Sequence, residues 1–213
     1  MKLLVKVIVV LALLGGFLYM FLHTAQDVRS EPYTTRRQYL QPWTLSIEPA
    51  TRSTSPRLVV RPPQEFASGL FGQVFQRMME SMKGSVGSGM PLVLRDEYEL
   101  ALAGRYTPQA LLEAARAAGV ESSAMTPVCV AVRRISEPGL TRQMYFVIFD
   151  APAVVAFRQQ LAKDLEAAPG FTVFDPAALS PVMIIGASDA EFDLWLPIQA
   201  IVDTDCVAPI TVN

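Results

Sequence analysis

The arrangement of apolar and polar positions divides the chain into three parts. Residues 7–22 form one apolar run that contains no charged side chain. Residues 65–83 place large apolar side chains three and four positions apart, which is the spacing of one helix face. Residues 91–213 alternate β-rich runs with helical patterns. The pattern therefore predicts an N-terminal apolar helix, an amphipathic helix and a region of alternating strands and helices.

The apolar run predicts a membrane anchor. A helix needs about 20 residues to cross a bilayer, and residues 3–22 reach that length if Lys6 extends its charged end to the headgroups. The alternative is a cleaved signal peptide with a basic start, but the sequence after Leu22 is a poor match to a cleavage site. We therefore expect residues 1–22 to be a single-pass transmembrane signal anchor that binds the membrane through residues 3–22. Because short N-terminal tails usually stay in the cytoplasm, we expect the globular domain to be extracytoplasmic.

Two segments connect this run to the C-terminal region. Residues 23–63 contain six prolines and a polar patch, and we interpret them as a tether that holds the domain off the membrane. Within the tether, residues 43–47 and 58–60 could add strands to the domain edge. Residues 64–89 combine the amphipathic helix with a Gly/Ser link. The polar face of this helix balances basic and acidic residues, which favours packing on the core over binding to a membrane surface.

The globular domain, residues 64–213, shows helix signals at two places. Thr107 is suited to cap a helix over residues 107–119, with proline following it, and Asp150 is expected to cap a second helix over residues 151–167. Strands are predicted at residues 91–102, 128–135, 144–149, 171–174, 182–186 and 201–212. This order predicts an α+β domain with a mixed sheet and a rough internal duplication.

Charge is unevenly distributed along the chain, although the net charge is only −2. Residues 1–90 hold ten basic and five acidic residues, whereas residues 91–213 hold eight basic and fifteen acidic residues. An acidic globular region repels phosphate backbones unless it contains a local basic groove. Nucleic acid is therefore disfavoured as a partner.

The two cysteines, Cys129 and Cys206, lie on predicted strands of the globular domain. An oxidising compartment would allow a disulfide between them, and two buried free thiols are the alternative. Both possibilities stay open at this point.

Few residues suggest a metal or a cofactor. The spacing of the cysteines and of the single histidine is not that of a metal site. Asp203 and Asp205 would share a strand face, and they form a weak candidate for a cation site together with Asp189 or Asp193. No phosphate-binding loop and no nucleophile motif is present. We expect no metal and no cofactor.

Two short runs resemble the motif strands of a known family. Residues 98–102 (Tyr-Glu-Leu-Ala-Leu) and 181–186 (Pro-Val-Met-Ile-Ile-Gly) resemble the strands on which two-histidine phosphoesterases carry their His-x-Thr/Ser motifs. This superfamily includes 2′,5′-RNA ligase-like proteins and cyclic phosphodiesterases. Residues 144–149 and the following helix with Phe157 and Arg158 are similar to its second lobe. The resemblance implies duplicated βαββ-type lobes, with mixed or antiparallel sheets, that face each other across a groove.

The positions that would carry the family's catalytic side chains differ in this chain. They are occupied by Glu99 and Ala101 in the first run and by Val182 and Ile184 in the second. Side chains at i and i+2 of a strand share a face, so these four residues would line the groove. None of them is an imidazole that could act as a general acid or base near neutral pH. The resemblance therefore implies a degenerate, non-catalytic binding or scaffolding domain with no catalytic residue.

Two other functions stay open. One is an enzyme on the same fold with an unrecognised site. The other is a structural subunit of a membrane complex, in which the helix over residues 65–83 docks a protein partner. An apolar stripe exposed on that helix would favour the structural role.

Overall fold

The computed structural model describes residues 10–20, 31–51, 55–78, 80–85, 87–167 and 174–213. Helix α1 covers residues 10–20, and its large apolar side chains are exposed. Within the described ranges, no helix combines the length and the apolar character needed to cross a membrane.

This finding corrects the predicted membrane anchor. The apolar run 7–22 forms a described helix only at residues 10–20, so the prediction of a transmembrane helix is wrong for the part of the chain that the structure describes. The single-pass membrane localisation that depended on the anchor is contradicted with it. Residues 1–9 and 21–22 of the predicted anchor, and His23, lie outside the described residues.

The remaining described residues form strands and helices in an α+β order. The strands are β1 (Tyr33–Thr35), β2 (Thr44–Glu48), β3 (Arg57–Arg61), β4 (Lys83–Gly84), β5 (Met90–Val93), β6 (Thr126–Glu137), β7 (Leu140–Asp150), β8 (Val182–Ala187) and β9 (Cys206–Val212). The helices are α2 (Gln64–Met78), α3 (Arg95–Glu97), α4 (Pro108–Ala117), α5 (Pro152–Glu166) and α6 (Val202–Asp205). Three short helical turns cover Arg37–Leu40, Tyr98–Leu102 and Phe192–Trp195.

The strands form two sheets of unequal size. The larger sheet has the order β1-β9-β6-β7-β8-β4, and the smaller sheet has the order β2-β3-β5. β1 runs parallel to β9, whereas all other neighbours are antiparallel. The larger sheet is mixed, as predicted, but six strands and three strands do not form a duplicated pair of lobes. The prediction of two equivalent βαββ-type lobes is therefore wrong.

The larger sheet buries both of its faces. On β8, Met183 and Ile185 face the main core, which also contains apolar residues of α2, α4 and α5. Val182 and Ile184 face a second apolar cluster that includes Phe146 of β7 and Trp195. This alternation follows from the period of two in a strand. It explains why β8 is apolar at every position except its glycine.

Two segments that the sequence presented as connections belong to the sheets. The predicted tether, residues 23–63, supplies β1, β2 and β3. The predicted Gly/Ser link supplies β4, in which Lys83 and Gly84 pair with Ala187 and Gly186 of β8. Both segments are thus part of the folded core in the described ranges.

Helix α2 covers the exposed edge of the larger sheet. The Gln73 side-chain amide accepts a hydrogen bond from Thr34 N at 2.9 Å and donates one to Thr34 O at 2.8 Å. One turn later, Arg77 donates hydrogen bonds to the carbonyl groups of Glu31 and Pro32. These side chains satisfy the backbone groups that an edge strand leaves unpaired. The helix ends at Met78, earlier than the predicted limit at residue 83.

A disulfide joins Cys129 of β6 to Cys206 of β9, and the two Cα atoms are 5.8 Å apart. The two strands are direct neighbours in the larger sheet. The bond closes a loop between residues separated by 77 positions. Closing so long a loop reduces the conformational entropy of the unfolded chain.

Candidate functional site

A groove lies between the smaller sheet and the segment of residues 190–197. It consists of two adjoining cavities of about 270 Å³ and about 230 Å³, which share Arg57, Asp193 and Leu196 in their walls. Arg95 lines the second cavity, whereas Arg61 lines neither cavity and is linked to the first only by its ion pair with Glu48. We call these two cavities together the arginine groove.

The alternation of side chains in the smaller sheet places the charged residues in this groove. Leu58 and Val60 of β3 are buried in the main core, so Arg57, Val59 and Arg61 point to the opposite face. Val59 forms part of the floor of the first cavity. Glu48 of β2 is the register partner of Arg57, which brings the carboxylate and the guanidinium group side by side.

Glu48 is the common partner of three arginines. Its carboxylate accepts hydrogen bonds from Arg57 Nε and Arg61 Nη2, and Arg95 Nη2 donates to Glu48 Oε2 at 3.1 Å. Arg95 is the first residue of α3, which follows β5. The carboxylate therefore connects β2 to β3 and to the segment after β5. Such charge-assisted hydrogen bonds are stronger than neutral ones.

Asp193 closes the groove from the other side. Arg57 Nη1 donates a hydrogen bond to Asp193 Oδ1, and Arg95 Nε lies 3.7 Å from Asp193 Oδ2. Arg95 Nε is buried and has no hydrogen-bond partner. One exposed carboxylate thus lies between two guanidinium groups and satisfies only one of them by a hydrogen bond.

The carboxylates around Arg57 favour its charged form. Burial alone would lower the pKa of Arg57, but the carboxylates of Glu48 and Asp193 outweigh it, so the pKa of Arg57 is raised above its ordinary value. The three guanidinium groups exceed the carboxylates of Glu48 and Asp193 by one positive charge. Glu191 in the first cavity and Asp96 in the second add two negative charges, so the balance is one net negative charge, with Glu97 compensated by Arg158.

The buried ion pair between Arg158 and Glu97 stabilises the segment next to the groove. Arg158 of α5 is 1% exposed, and its Nη2 and Nη1 donate to the two carboxylate oxygens of Glu97 at 2.6 and 3.0 Å. The guanidinium group also donates to the carbonyl groups of Leu92, Asp175 and Pro176. Because Glu97 follows Arg95 in α3, this buried pair fixes the helix that carries Arg95.

Of the four sequence-predicted groove positions, only Ile184 lines a cavity of the arginine groove. Val182 is buried in the second apolar cluster. Glu99 and Ala101 lie in the helical turn Tyr98–Leu102, so the predicted strand at these residues is wrong. Ala101 is buried in the main core, and Glu99 is exposed and accepts a hydrogen bond from Ser55 Oγ at 2.8 Å.

The local reason for this helical turn lies in Glu97. Its side chain accepts a hydrogen bond from Leu94 N at 2.9 Å, which caps the first turn of α3. Tyr98, the first residue of the following turn, is buried and donates from its hydroxyl group to the carbonyl oxygen of Tyr106 at 2.9 Å. These contacts stabilise a helical path where the alternating sequence suggested a strand.

The suggested cation site does not form in the described residues. No group of three or more described His, Cys, Asp or Glu residues is arranged to hold a metal ion. Asp189 is paired with Arg142 at 2.9 Å and Asp205 with Arg133 at 3.2 Å. Burial would raise the pKa of Asp189, but hydrogen bonds from Arg142 and from the backbone of Glu191 hold it below its usual value.

The arginine groove was not identified from the sequence, although one signal was present. The alternation in Arg57–Arg61 (Arg-Leu-Val-Val-Arg) indicates a strand whose two ends present arginines on one face. The partners of these arginines come from distant positions, with Asp193 separated from Arg57 by 136 residues. Comparison of the chain with family models, with curated proteins and with solved structures found no match, so the functional argument rests on the geometry of this groove.

Proposed function

We propose that the protein is a non-catalytic binding domain whose arginine groove binds a ligand with an anionic group. The observation that carries this proposal is the convergence of Arg57 and Arg95 on a single exposed carboxylate, Asp193, in the wall of an open groove. Guanidinium groups present several donors in a fixed planar geometry that matches carboxylate and phosphate oxygens. The side chains of Val59 and Ile184, which are almost fully buried, form an apolar part of the wall of the first cavity.

The groove is better suited to binding than to acid–base catalysis. The described residues that line its two cavities include no histidine, cysteine or lysine. Arginine keeps its proton at all relevant pH values and so cannot serve as a general acid or base. Glu48, the carboxylate nearest to the arginines, already accepts hydrogen bonds from three of them. These features support a binding role.

Three other hypotheses from the sequence remain untested. They are a relationship to the two-histidine phosphoesterases, an enzyme with an unrecognised site, and a structural subunit. The groove proposal does not depend on the phosphoesterase relationship, since its residues come from β2, β3, α3 and the segment 190–197. It uses Ile184 alone among the four motif positions.

Isothermal titration calorimetry of the purified full-length chain tests this proposal. The probes are two small anions, propionate and inorganic phosphate, with a neutral amide, propionamide, as the control ligand. Hydrogen bonds to charged groups contribute about 1.5–3 kcal/mol, so Arg57→Gln and Arg95→Gln should each weaken anion binding about tenfold or more.

A matched control is Arg116→Gln. Arg116 is an exposed arginine of α4 that pairs with Glu121 and lies outside the groove. Arg116→Gln removes the same positive charge as Arg57→Gln, so it reports the effect of general electrostatic attraction. We expect it to leave binding unchanged. If wild type binds neither anion, or if Arg116→Gln weakens binding as much as Arg57→Gln does, the proposed function is wrong.

A further inference from the structure

Asp193 occupies the position in the arginine groove where a ligand carboxylate would bind. Its two oxygen atoms face Arg57 Nη1 and Arg95 Nε. The carboxylate belongs to the short turn Phe192–Trp195, which the buried ring of Trp195 holds against the second apolar cluster. The protein thus presents its own carboxylate to the same two guanidinium groups that the proposed function assigns to a ligand.

Of the two carboxylates that the arginines contact, Asp193 is held less strongly than Glu48. Its side chain is 56% exposed, compared with 22% for Glu48. An exposed ion pair contributes little to stability, because water and salt screen it. Glu48, in contrast, is fixed by three arginines and by the register of β2 and β3. Of the two, Asp193 is therefore the carboxylate that an incoming anion can displace.

A second observation indicates that Asp193 leaves one donor of the groove, Arg95 Nε, without a hydrogen bond. Arg95 Nε is buried without a hydrogen-bond partner, and the distance of 3.7 Å to Asp193 Oδ2 is too long for a hydrogen bond. An unpaired buried donor carries a desolvation cost. A carboxylate that is free to move closer could accept from both Arg57 and Arg95, and would recover part of that cost.

The charge of the groove selects the class of ligand. With Asp193 in place, the three arginines face four carboxylates, Glu48, Glu191, Asp193 and Asp96, while Glu97 is compensated by Arg158, so one net negative charge remains. When Asp193 turns away into solvent, these charges balance, and a monoanionic carboxylate that takes its place restores the original charge. A phosphate dianion would bring a second negative charge close to Glu48 and Glu191 and would be repelled.

We infer that Asp193 is an internal competitor in the arginine groove, and that the monoanionic carboxylate of a ligand displaces it to bind Arg57 and Arg95. This inference rests on the proposed function of the groove. The carboxylate can come from an aspartate side chain or from a chain terminus, since both present the same planar pair of oxygens. Asp193 lowers the apparent affinity for the ligand, because the ligand carboxylate must replace the contacts that Asp193 makes with Arg57 and Arg95.

Calorimetric titration of the full-length protein distinguishes these sources. The probes are acetyl-Gly-Asp-Gly-amide for a side-chain carboxylate, acetyl-Gly-Gly-Gly for a terminal carboxylate, and inorganic phosphate. Asp193→Asn should bind at least one of the two peptides about threefold to tenfold more tightly than wild type, which corresponds to about 0.7–1.4 kcal/mol. Phosphate should bind more weakly than that peptide to both proteins.

The matched control is Asp203→Asn, an exposed aspartate in α6 that lies outside the groove. It makes the same change in net charge, so equal tightening by Asp203→Asn would show a general charge effect and would overturn the inference. Asp193→Ser serves as a second variant if Asp193→Asn does not fold. If wild type binds a peptide but neither Asp193 variant tightens binding, the competitor role is wrong while the proposed function stands. If wild type and the variants all fail to bind any anion, both are wrong.

Discussion

Arg95 Nη2 donates a hydrogen bond to Glu48 Oε2 over 3.1 Å, between two residues that lie 47 positions apart in the chain. The same oxygen accepts from Arg57 Nε, and the second oxygen accepts from Arg61 Nη2. A single carboxylate on β2 therefore binds the guanidinium groups of Arg57 and Arg95, which line the arginine groove, and of Arg61 beside it. The geometry of the groove depends on this carboxylate more than on any other charge in it.

Replacing Glu48 should lower the stability of the protein as well as disturb the groove. In Glu48→Gln, three half-buried guanidinium groups lose their shared negative partner and repel one another. Charge-assisted hydrogen bonds contribute about 1.5–3 kcal/mol each, but partial exposure reduces this, so we expect the free energy of unfolding to fall by about 1–2 kcal/mol. Urea unfolding measures the change, with Glu113→Gln on the exposed face of α4 as control. Equal stability of the two variants would contradict the role of Glu48.

The buried pair of Arg158 and Glu97 should behave differently when one or both partners are changed. Arg158→Met leaves the Glu97 carboxylate without its charged partner, and we expect a loss of about 3–5 kcal/mol in the free energy of unfolding. The double variant Arg158→Met/Glu97→Gln removes both charges and should recover part of that loss. A double-mutant cycle by urea unfolding measures the coupling. Strictly additive losses would show that the two side chains do not act as a pair.

Gln73 should protect the edge of the larger sheet. In Gln73→Ala, the N–H and carbonyl groups of Thr34 lose both of their hydrogen bonds to the amide. We expect a loss of about 1 kcal/mol in stability and faster aggregation, because an uncovered edge strand pairs with other chains. Gln76→Ala is a matched control on the exposed side of the same helix. Light scattering and thermal unfolding that do not distinguish the two variants would argue against edge protection.

The pH dependence of stability should reveal the environment of Tyr145. Burial raises the pKa of Tyr145 to about 12, and the nearby Glu80 carboxylate adds to this rise. Between pH 10 and 12 the unfolded state has lost this proton while the folded state still holds it, so the contribution to stability decreases as pH rises. Below pH 10 the contribution is complete. The difference in unfolding free energy between wild type and Tyr145→Phe should therefore change only above about pH 10, and a difference that is constant up to pH 12 would contradict this assignment.

Local signals were sufficient where an element is defined by its own residues. Thr107 accepts a hydrogen bond from Ala110 N at 3.1 Å and starts α4, which confirms the helix that its Thr-Pro pair predicted. The β-rich runs at residues 144–149 and 182–186 are confirmed as parts of β7 and β8. In these segments, capping, composition and periodicity all favour the same structure.

Local sequence signals were misleading where contacts with residues distant in the chain determine the structure. The run Tyr98–Leu102 alternates polar and apolar residues only briefly, and a helix tolerates the same sequence. Its path is set by Glu97, which caps the preceding turn and pairs with Arg158, 61 positions away. The groove is a similar case, since the face of β3 could be predicted but not the approach of Asp193. In the N-terminal apolar run, hydropathy alone predicted a spanning helix longer than the one described at residues 10–20.

The most direct test of the groove is to observe the guanidinium groups themselves during ligand binding. Two-dimensional ¹H–¹⁵N NMR of the arginine Nε–Hε groups follows each side chain, with signals assigned by single Arg→Lys variants. Addition of acetyl-Gly-Asp-Gly-amide to the full-length protein should shift the signals of Arg57 and Arg95, because both would exchange Asp193 for the ligand carboxylate. The signals of Arg158, which is buried on Glu97, and of Arg116, which lies on α4, should not move. Saturable shifts at Arg57 and Arg95 are the result that our account predicts, and unchanged signals at both residues in the presence of bound peptide would contradict it.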